Sequence, residues 1–139
     1  MQLYKGDLLD QTISIDFFFA KFPTTVFMPD GEEKTAKMNA IKENDWPRVM
    51  NLLEKYLPKD KKFINGDQLT THDFTVGGWL LNFLVNPNCI TKDWADELYA
   101  ITPQRVKTYI EFLVSLFCNI YCLIKNFEYF LSLGFWGFG

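Results

Sequence analysis

The sequence predicts an all-α fold, a single bundle of roughly five or six helices. Apolar residues recur with the helical period, and few segments alternate as strands do. Prolines and glycines divide the chain into lengths typical of helices. The 139 residues are 48% hydrophobic and 22% charged, which is a globular composition. A chain of this length can bury one core, so we expect one helical domain.

Two helices are expected in the first part of the chain. The first runs from Leu8 to Phe22, is apolar around much of its surface and ends at Pro23. The second begins near Glu32, because acidic residues in a first turn suit the positive end of the helix dipole. We expect a kink or a restart at Pro47, since proline removes a backbone donor and clashes with the preceding turn.

A capping pattern marks the start of the third helix. Gly66 lies in a turn, and Thr70 follows as the N-cap. Asp73 lies three residues after Thr70, so each side chain can accept from the backbone N–H of the other in a capping box. Leu69 and Phe74 flank the cap and can pack as a hydrophobic staple.

The third helix continues to about Val85 and is apolar on all sides, which predicts a central core helix. Gly77 and Gly78 lie within it, and we expect both to allow a neighbouring helix to approach closely. A short helix near residues 91–100 and a last helix beginning at Pro103 complete the domain.

The charge pattern excludes one class of partner. The net charge is −3 and the pI about 5.1, and no run of Lys or Arg forms the basic stripe that nucleic-acid binding requires. The N-terminus lacks the basic start and apolar run of a secretory signal. Three cysteines form a sparse, odd set typical of a reducing compartment. We therefore expect a cytoplasmic protein without a nucleic-acid partner.

No catalytic or metal-binding set is evident among the reactive side chains. Cys118 and Cys122 lie four residues apart on one helical face, but Cys89 and His72 lack ligand-like spacing. We expect apolar packing for the two cysteines and no metal site. His72 could act as a base, but its place in the first turn of a helix favours a solvent-facing or packed residue.

The segment Phe63–Phe74 resembles the signature of the glutathione transferase C-terminal domain. That signature builds the same capping box and staple at the start of a buried helix. Six positions match it: Gly66, Asp67, Leu69, Thr70, Asp73 and Phe74. His72 departs from it, because the family usually has a small residue there.

The resemblance extends to other parts of the chain. Asp16–Pro23 looks like the end of the first helix of this domain, particularly in sigma-like members. Val49–Leu57 is similar to the helix that precedes the signature, and Thr102–Ile110 to a late helix of the family. The resemblance covers roughly Leu8 to Glu111.

The resemblance also implies what this chain lacks. In the family, a thioredoxin-like N-terminal domain binds glutathione and supplies the Tyr, Ser or Cys that acts on the thiol. The chain begins inside the second domain, so we expect no catalytic residue and no cofactor in it. Glutathione would be a substrate only if an N-terminal domain were supplied. The helical domain would then contribute part of the pocket for the hydrophobic co-substrate and half of a dimer contact.

Two functional hypotheses follow. The first is a glutathione transferase that conjugates glutathione to electrophiles, with this chain inactive by itself. The alternative is a non-catalytic interaction or scaffold module in a larger assembly, because a detached helical domain would expose apolar surface. Either hypothesis implies a protein partner, in a homodimer or a larger complex. In sigma-like members, acids near Asp16 can face the glutathione site of the partner subunit; the alternative is an exposed acid without a ligand.

The last part of the chain is an apolar tail. We predict a helical domain over residues 1–111 and a separate tail over 112–139. The tail could add a helix to the core, or it could anchor the chain to a membrane or partner, although its apolar run is shorter than the ~20 residues that span a bilayer. A third hypothesis, translation of AT-rich non-coding DNA, is favoured because the resemblance stops abruptly at Glu111.

Overall fold

The computed structural model describes residues 5–125, and it describes side chains over residues 6–118. The described residues form five continuous helices and no strand, which confirms the predicted all-α fold. The helices are α1 (5–26), α2 (32–56), α3 (71–85), α4 (Lys92–Ala100) and α5 (Gln104–Lys125). Phe63 and Gly66 form a single isolated β-bridge in the loop before α3.

Helix α1 continues past the predicted end at Pro23. It consists of an α-helical stretch Lys5–Leu9, a wider π-helical stretch Asp10–Lys21 and an α-helical stretch Phe22–Val26. Pro23 lies in the first turn of the last stretch. A missing N–H is tolerated in a first turn, so the expected helix end at this proline is wrong.

Helix α2 runs without a break through Pro47, although its hydrogen-bond pattern changes just before this proline; the expected restart is therefore absent, and the expected kink stays a prediction. An α-helical stretch Glu32–Ala40 passes into a π-helical turn Ile41–Asp45 and then into Trp46–Tyr56, with Pro47 in the first turn of that last stretch. The helix ends at Tyr56, and the C-cap residue Leu57 has extended backbone angles (φ −64°, ψ 122°). Extended backbone is favoured there because the next residue is a proline.

Helix α3 packs closely on α5 at one of its two glycines. A Cβ added to Gly77 would overlap the side chain of Leu113 in α5, so the absence of a side chain permits the contact. A Cβ added to Gly78 would meet nothing within 4 Å. The prediction of close approach therefore holds for Gly77 and is wrong for Gly78.

The core contains a cluster of aromatic rings contributed by four helices. The Phe22 and Trp94 rings are stacked, with centroids 5.7 Å apart and planes at 12°. Trp46 is fully buried, and its indole N–H donates to the Thr102 hydroxyl at 3.1 Å. Because a buried indole needs an acceptor, this bond fixes the ring and joins α2 to the turn before α5.

Helix α5 passes residue 111 without a break. Leu113 is fully buried, and Phe112 and Phe117 pack against the core. The predicted boundary between domain and tail therefore falls inside a helix. Residues 126–139 lie outside the described part of the chain, and the hypotheses about them stay predictions. Over the described residues, no helix is both long enough and apolar enough to cross a membrane.

Candidate functional site

A fully buried carboxylate, that of Asp73, lies at the start of α3. Its Oδ1 accepts hydrogen bonds from the Ile64 backbone N–H and the Tyr109 hydroxyl, both at 2.9 Å. Its Oδ2 accepts from the Thr70 N–H at 3.0 Å and from the Thr70 hydroxyl at 2.9 Å. The predicted capping box is present at Thr70 and Asp73. Four donors around two oxygens satisfy a carboxylate that water does not reach.

This network joins three segments, because its donors come from the loop before α3, from the N-cap and from α5. Burial, together with the neighbouring Asp73 carboxylate, raises the pKa of Tyr109 well above its usual range. Tyr109 is therefore a neutral donor, and the network is structural. The sequence analysis missed Tyr109, since it lies 36 residues from Asp73 and no local spacing links them.

The other residues of the signature shape the turn before α3. Gly66 has a φ of 118°, a backbone angle that residues with a side chain resist. Two hydrogen bonds of 3.0 and 3.1 Å join its backbone to that of Phe63. Phe74 is 52% exposed, and its ring packs on Phe117 in α5 with centroids 5.5 Å apart. Leu69 is half-buried, and its staple contact with Phe74 stays a prediction.

His72, in the first turn of α3, packs against α1. Its ring lies against the backbone of Gly6, where any added Cβ would overlap it. Nδ1 is 3.5 Å from Oδ2 of Asp10, and Nε2 is 3.6 Å from Oδ1 of Asp7. Asp10 also accepts a hydrogen bond from the Thr75 hydroxyl. A glycine on the facing helix thus makes room for a residue larger than the signature usually has.

An exposed surface of α1, the Asp16 face, consists of Ile15, Asp16 and Phe19. Ile15 is 50% exposed and Phe19 is 72% exposed. The Gln11 side-chain amide donates to Oδ1 of Asp16 at 2.8 Å, on the protein surface. Solvent can reach this carboxylate. The arrangement positions a carboxylate among apolar side chains that a partner could cover.

A partly exposed indole on α3 lies next to the same helix. Trp79 is 37% exposed and stacks on Phe18 of α1, with centroids 5.5 Å apart and planes at 4°. Because Phe18 is buried, the stack connects the core to the surface. Trp79 and the Asp16 face together present aromatic and aliphatic groups to solvent.

The cysteines do not form a site in the described part of the chain. Cys89 is half-buried, with its Sγ 3.8 Å from the Thr91 hydroxyl. Cys118 is exposed, so the predicted apolar packing is wrong there; the side chain of Cys122 lies outside the described residues. Within residues 6–118, no group of three or more His, Cys, Asp or Glu side chains could hold a metal ion.

Comparison with known protein families gives a match over much of the chain. The family described as "Glutathione S-transferase, C-terminal domain" matches residues 16–111, which is more than half of the chain. The match begins at Asp16 and contains the whole of the Asp73 network. No curated protein matches the chain, and no solved structure matches it. The chain belongs to the glutathione S-transferase C-terminal domain family.

Proposed function

We propose that this chain is the helical half of a glutathione transferase, which conjugates glutathione to apolar electrophiles. A thioredoxin-like domain, in the same polypeptide or in a bound one, would bind glutathione and act on its thiol. The observation that carries the proposal is the family match over residues 16–111. The resemblance of Asp16–Pro23 to sigma-like members supports that subclass.

The chain by itself is not catalytic in this proposal. A free thiol titrates near 8.5, so a thiolate at neutral pH needs a nearby donor or a positive charge. Tyr109 cannot provide that donor, because it is buried and its hydroxyl already donates to Asp73. His72 lies between two carboxylates and against Gly6, away from open space. The thiol-activating group would therefore come from the thioredoxin-like domain.

The apolar side chains on α1 and α3 have a role in this proposal. Ile15, Phe19 and Trp79 remain exposed in the helical domain alone. Large exposed apolar side chains often mark contact surfaces. They would form part of the pocket for the hydrophobic co-substrate and part of the contact with the other domain or subunit. Covering them also removes apolar surface from water, which favours assembly.

Asp16 would contact glutathione across a dimer. Gln11 donates to its Oδ1, and the carboxylate lies at the surface between Ile15 and Phe19. A surface carboxylate held by a neighbouring amide suits the α-ammonium group of a peptide ligand. In a sigma-like dimer that ligand would be the glutathione bound by the partner subunit.

The test is the conjugation of glutathione to a general aryl halide by the native protein, purified from its own cells. We expect turnover by the native protein and none by the isolated chain. Asp16→Asn in the native protein should raise the KM for glutathione roughly tenfold, with kcat changed by less than about twofold. Asp60→Asn, at an exposed loop position, is the matched control and should change neither. Absence of both turnover and glutathione affinity in the native protein would reject the proposal.

The second candidate function is a non-catalytic interaction or scaffold module. It is favoured by exposed apolar side chains away from the Asp16 face in sequence, above all Phe27 at 73% and Ile90 at 82% exposure. A stable native complex without glutathione affinity would support this function over conjugation. A cytoplasmic location suits both candidates, since that compartment keeps thiols reduced.

A further inference from the structure

A small groove lies where the end of α2, the loop that follows it and α5 meet. Its volume is about 220 Å³. None of its residues belongs to the Asp16 face. Apolar and basic residues line it, among them Leu57, Arg105 and Phe112.

The interior of this groove is mainly apolar. Leu57 and Tyr109 are buried, and Phe112 is half-buried with its ring against Phe63, centroids 5.4 Å apart. The Arg105 guanidinium donates to the backbone carbonyl of Leu57, which fixes the wall. An interior of this kind accepts an apolar group of about the size of one side chain.

The mouth of the groove is basic. Lys59, Lys61 and Lys62 are all exposed, and the Lys62 ammonium lies 5.8 Å from the centroid of the Phe112 ring. Lys61 is paired with Asp67 at 2.5 Å, and Asp60 is an exposed acid in the same loop. Three lysines and Arg105 still outnumber these two acids, in a chain whose net charge is −3. The groove is thus a local positive site on an acidic protein.

We propose that this groove binds an acidic segment of a partner protein. One aromatic or aliphatic side chain of the segment would fill the interior, and Asp or Glu residues on both sides of it would meet the lysines. An apolar anchor surrounded by complementary charges is a common form of protein recognition.

The size and placement of the groups favour a peptide over a small molecule. The groove is smaller than the roughly 300–1,000 Å³ of typical small-ligand pockets. Lys59 and Lys62 are exposed to solvent, where they can meet charges that lie across the surface, whereas Lys61 is already paired with Asp67. A peptide places one side chain inward and its acidic neighbours along the rim.

The test uses the full chain and a fluorescein-labelled nine-residue peptide of Asp and Glu with one central Phe. We expect saturable binding by fluorescence anisotropy, weakened at least roughly tenfold between about 50 and 300 mM NaCl, because exposed charge pairs are screened. The double variant K59E/K62E should weaken binding at least roughly tenfold. K37E/K42E makes the same charge change in α2, at positions about 20 Å or more along the helix from Leu57, and should change binding less than about twofold.

A second peptide, with Gly in place of the central Phe, tests the apolar interior. It should bind at least roughly tenfold more weakly than the Phe peptide. Equal binding of the two peptides, or full binding by a folded K59E/K62E variant, would overturn the proposal. Tighter binding of 4-phenylbutyrate than of the peptide would also overturn it, because the groove would then be a site for a small aromatic acid. Circular dichroism of both variants confirms that they fold.

Discussion

At the residue scale, the Asp73 carboxylate connects three segments of the domain by hydrogen bonds. It accepts from Ile64, Thr70 and Tyr109, so one side chain joins the loop before α3, the start of α3 and the second turn of α5. Among the described ion pairs none includes Asp73, so its stability in the core depends on its hydrogen bonds. Hydrogen bonds to a charged group are stronger than neutral ones.

Replacing Asp73 by Asn should therefore destabilise the domain. The amide keeps the shape of the side chain, but its NH₂ group faces donors and leaves at least one buried donor without an acceptor. We expect the free energy of unfolding to fall by more than about 2 kcal/mol, measured by urea denaturation. Asp60→Asn, at an exposed position, should stay within about 0.5 kcal/mol. Equal effects of the two substitutions would contradict the role given to Asp73.

Tyr109 should make the domain sensitive to alkaline pH. Burial and the Asp73 carboxylate raise the pKa of Tyr109 in the folded state, whereas in the unfolded chain it titrates near 10. Above about pH 10 the unfolded chain releases this proton and the folded chain retains it, so stability falls as pH rises, by up to about 1.4 kcal/mol per pH unit.

The comparison for this prediction is Tyr109→Phe. The variant loses one hydrogen bond to Asp73, so it should be less stable at pH 8, but its stability should fall less steeply than that of the wild type above pH 10. Urea denaturation at several pH values between about 8 and 11 measures both slopes. Parallel slopes would show that Tyr109 ionises as readily in the folded chain as in the unfolded one.

The capping box could be predicted from sequence because its geometry is local. Thr70 and Asp73 are three residues apart, and the preference of each for that position has a known physical cause. Tyr109 and Ile64 could not be identified as partners, since the packing of α5 on α3 brings them to Asp73. The position of His72 also depended on another helix, because Gly6 provides the space for its ring.

At the element scale, the two adjacent glycines of α3 offer a matched pair. Gly77→Ala would place a methyl group against Leu113, which is fully buried and has little room to move. Gly78→Ala would place one in open space. Alanine favours a helix over glycine by about 1 kcal/mol at either position, whereas overpacking a core costs about 1–3 kcal/mol.

We therefore expect opposite signs for the two substitutions. Gly78→Ala should raise the free energy of unfolding by about 0.5–1 kcal/mol, and Gly77→Ala should lower it by about 1 kcal/mol. Thermal and urea unfolding measure both changes. Stabilisation by Gly77→Ala as large as that by Gly78→Ala would show that α3 and α5 are not in close contact there.

The two prolines show how far the course of a helix can be predicted from sequence. Pro23 and Pro47 both lie in the first turn of an α-helical stretch that follows a π-helical stretch. The missing N–H of proline predicts a change in the backbone hydrogen bonds at each position, but it does not tell whether the helix continues. In α1 it continues because Thr25 and Val26, just beyond Pro23, are buried, and burial favours the helical path.

At the scale of the whole molecule, the proposed association with a second domain or subunit depends on the exposed apolar groups of α1. Phe19 is 72% exposed, so it contributes little to the stability of the isolated domain. Phe19→Gln should change the free energy of unfolding by less than about 0.5 kcal/mol. In the native protein, it should weaken subunit or domain association, as measured by analytical ultracentrifugation. Substantial unfolding of the isolated domain by this change would mean that Phe19 belongs to the core.

The overall fold could be predicted because the helical period of the apolar residues indicates an all-α domain, and the signature segment indicates which one. The predicted end of the domain at residue 111 stays a prediction: the family match also ends there, whereas α5 continues to Lys125. Burial of Leu113, two residues beyond the match, links that extension to the core. The groove at the end of α2 could not be predicted, because α5 brings Arg105 and Phe112 to the lysine-rich loop.

The most direct test of the central claim is retention of the native protein on immobilised glutathione. A lysate of its own cells is passed over the resin under native conditions, and bound protein is eluted with free glutathione and analysed by mass spectrometry. We predict elution of this helical domain together with a thioredoxin-like domain, in one polypeptide or in one complex. Passage of the native protein through the resin unretained would contradict its assignment as half of a glutathione transferase.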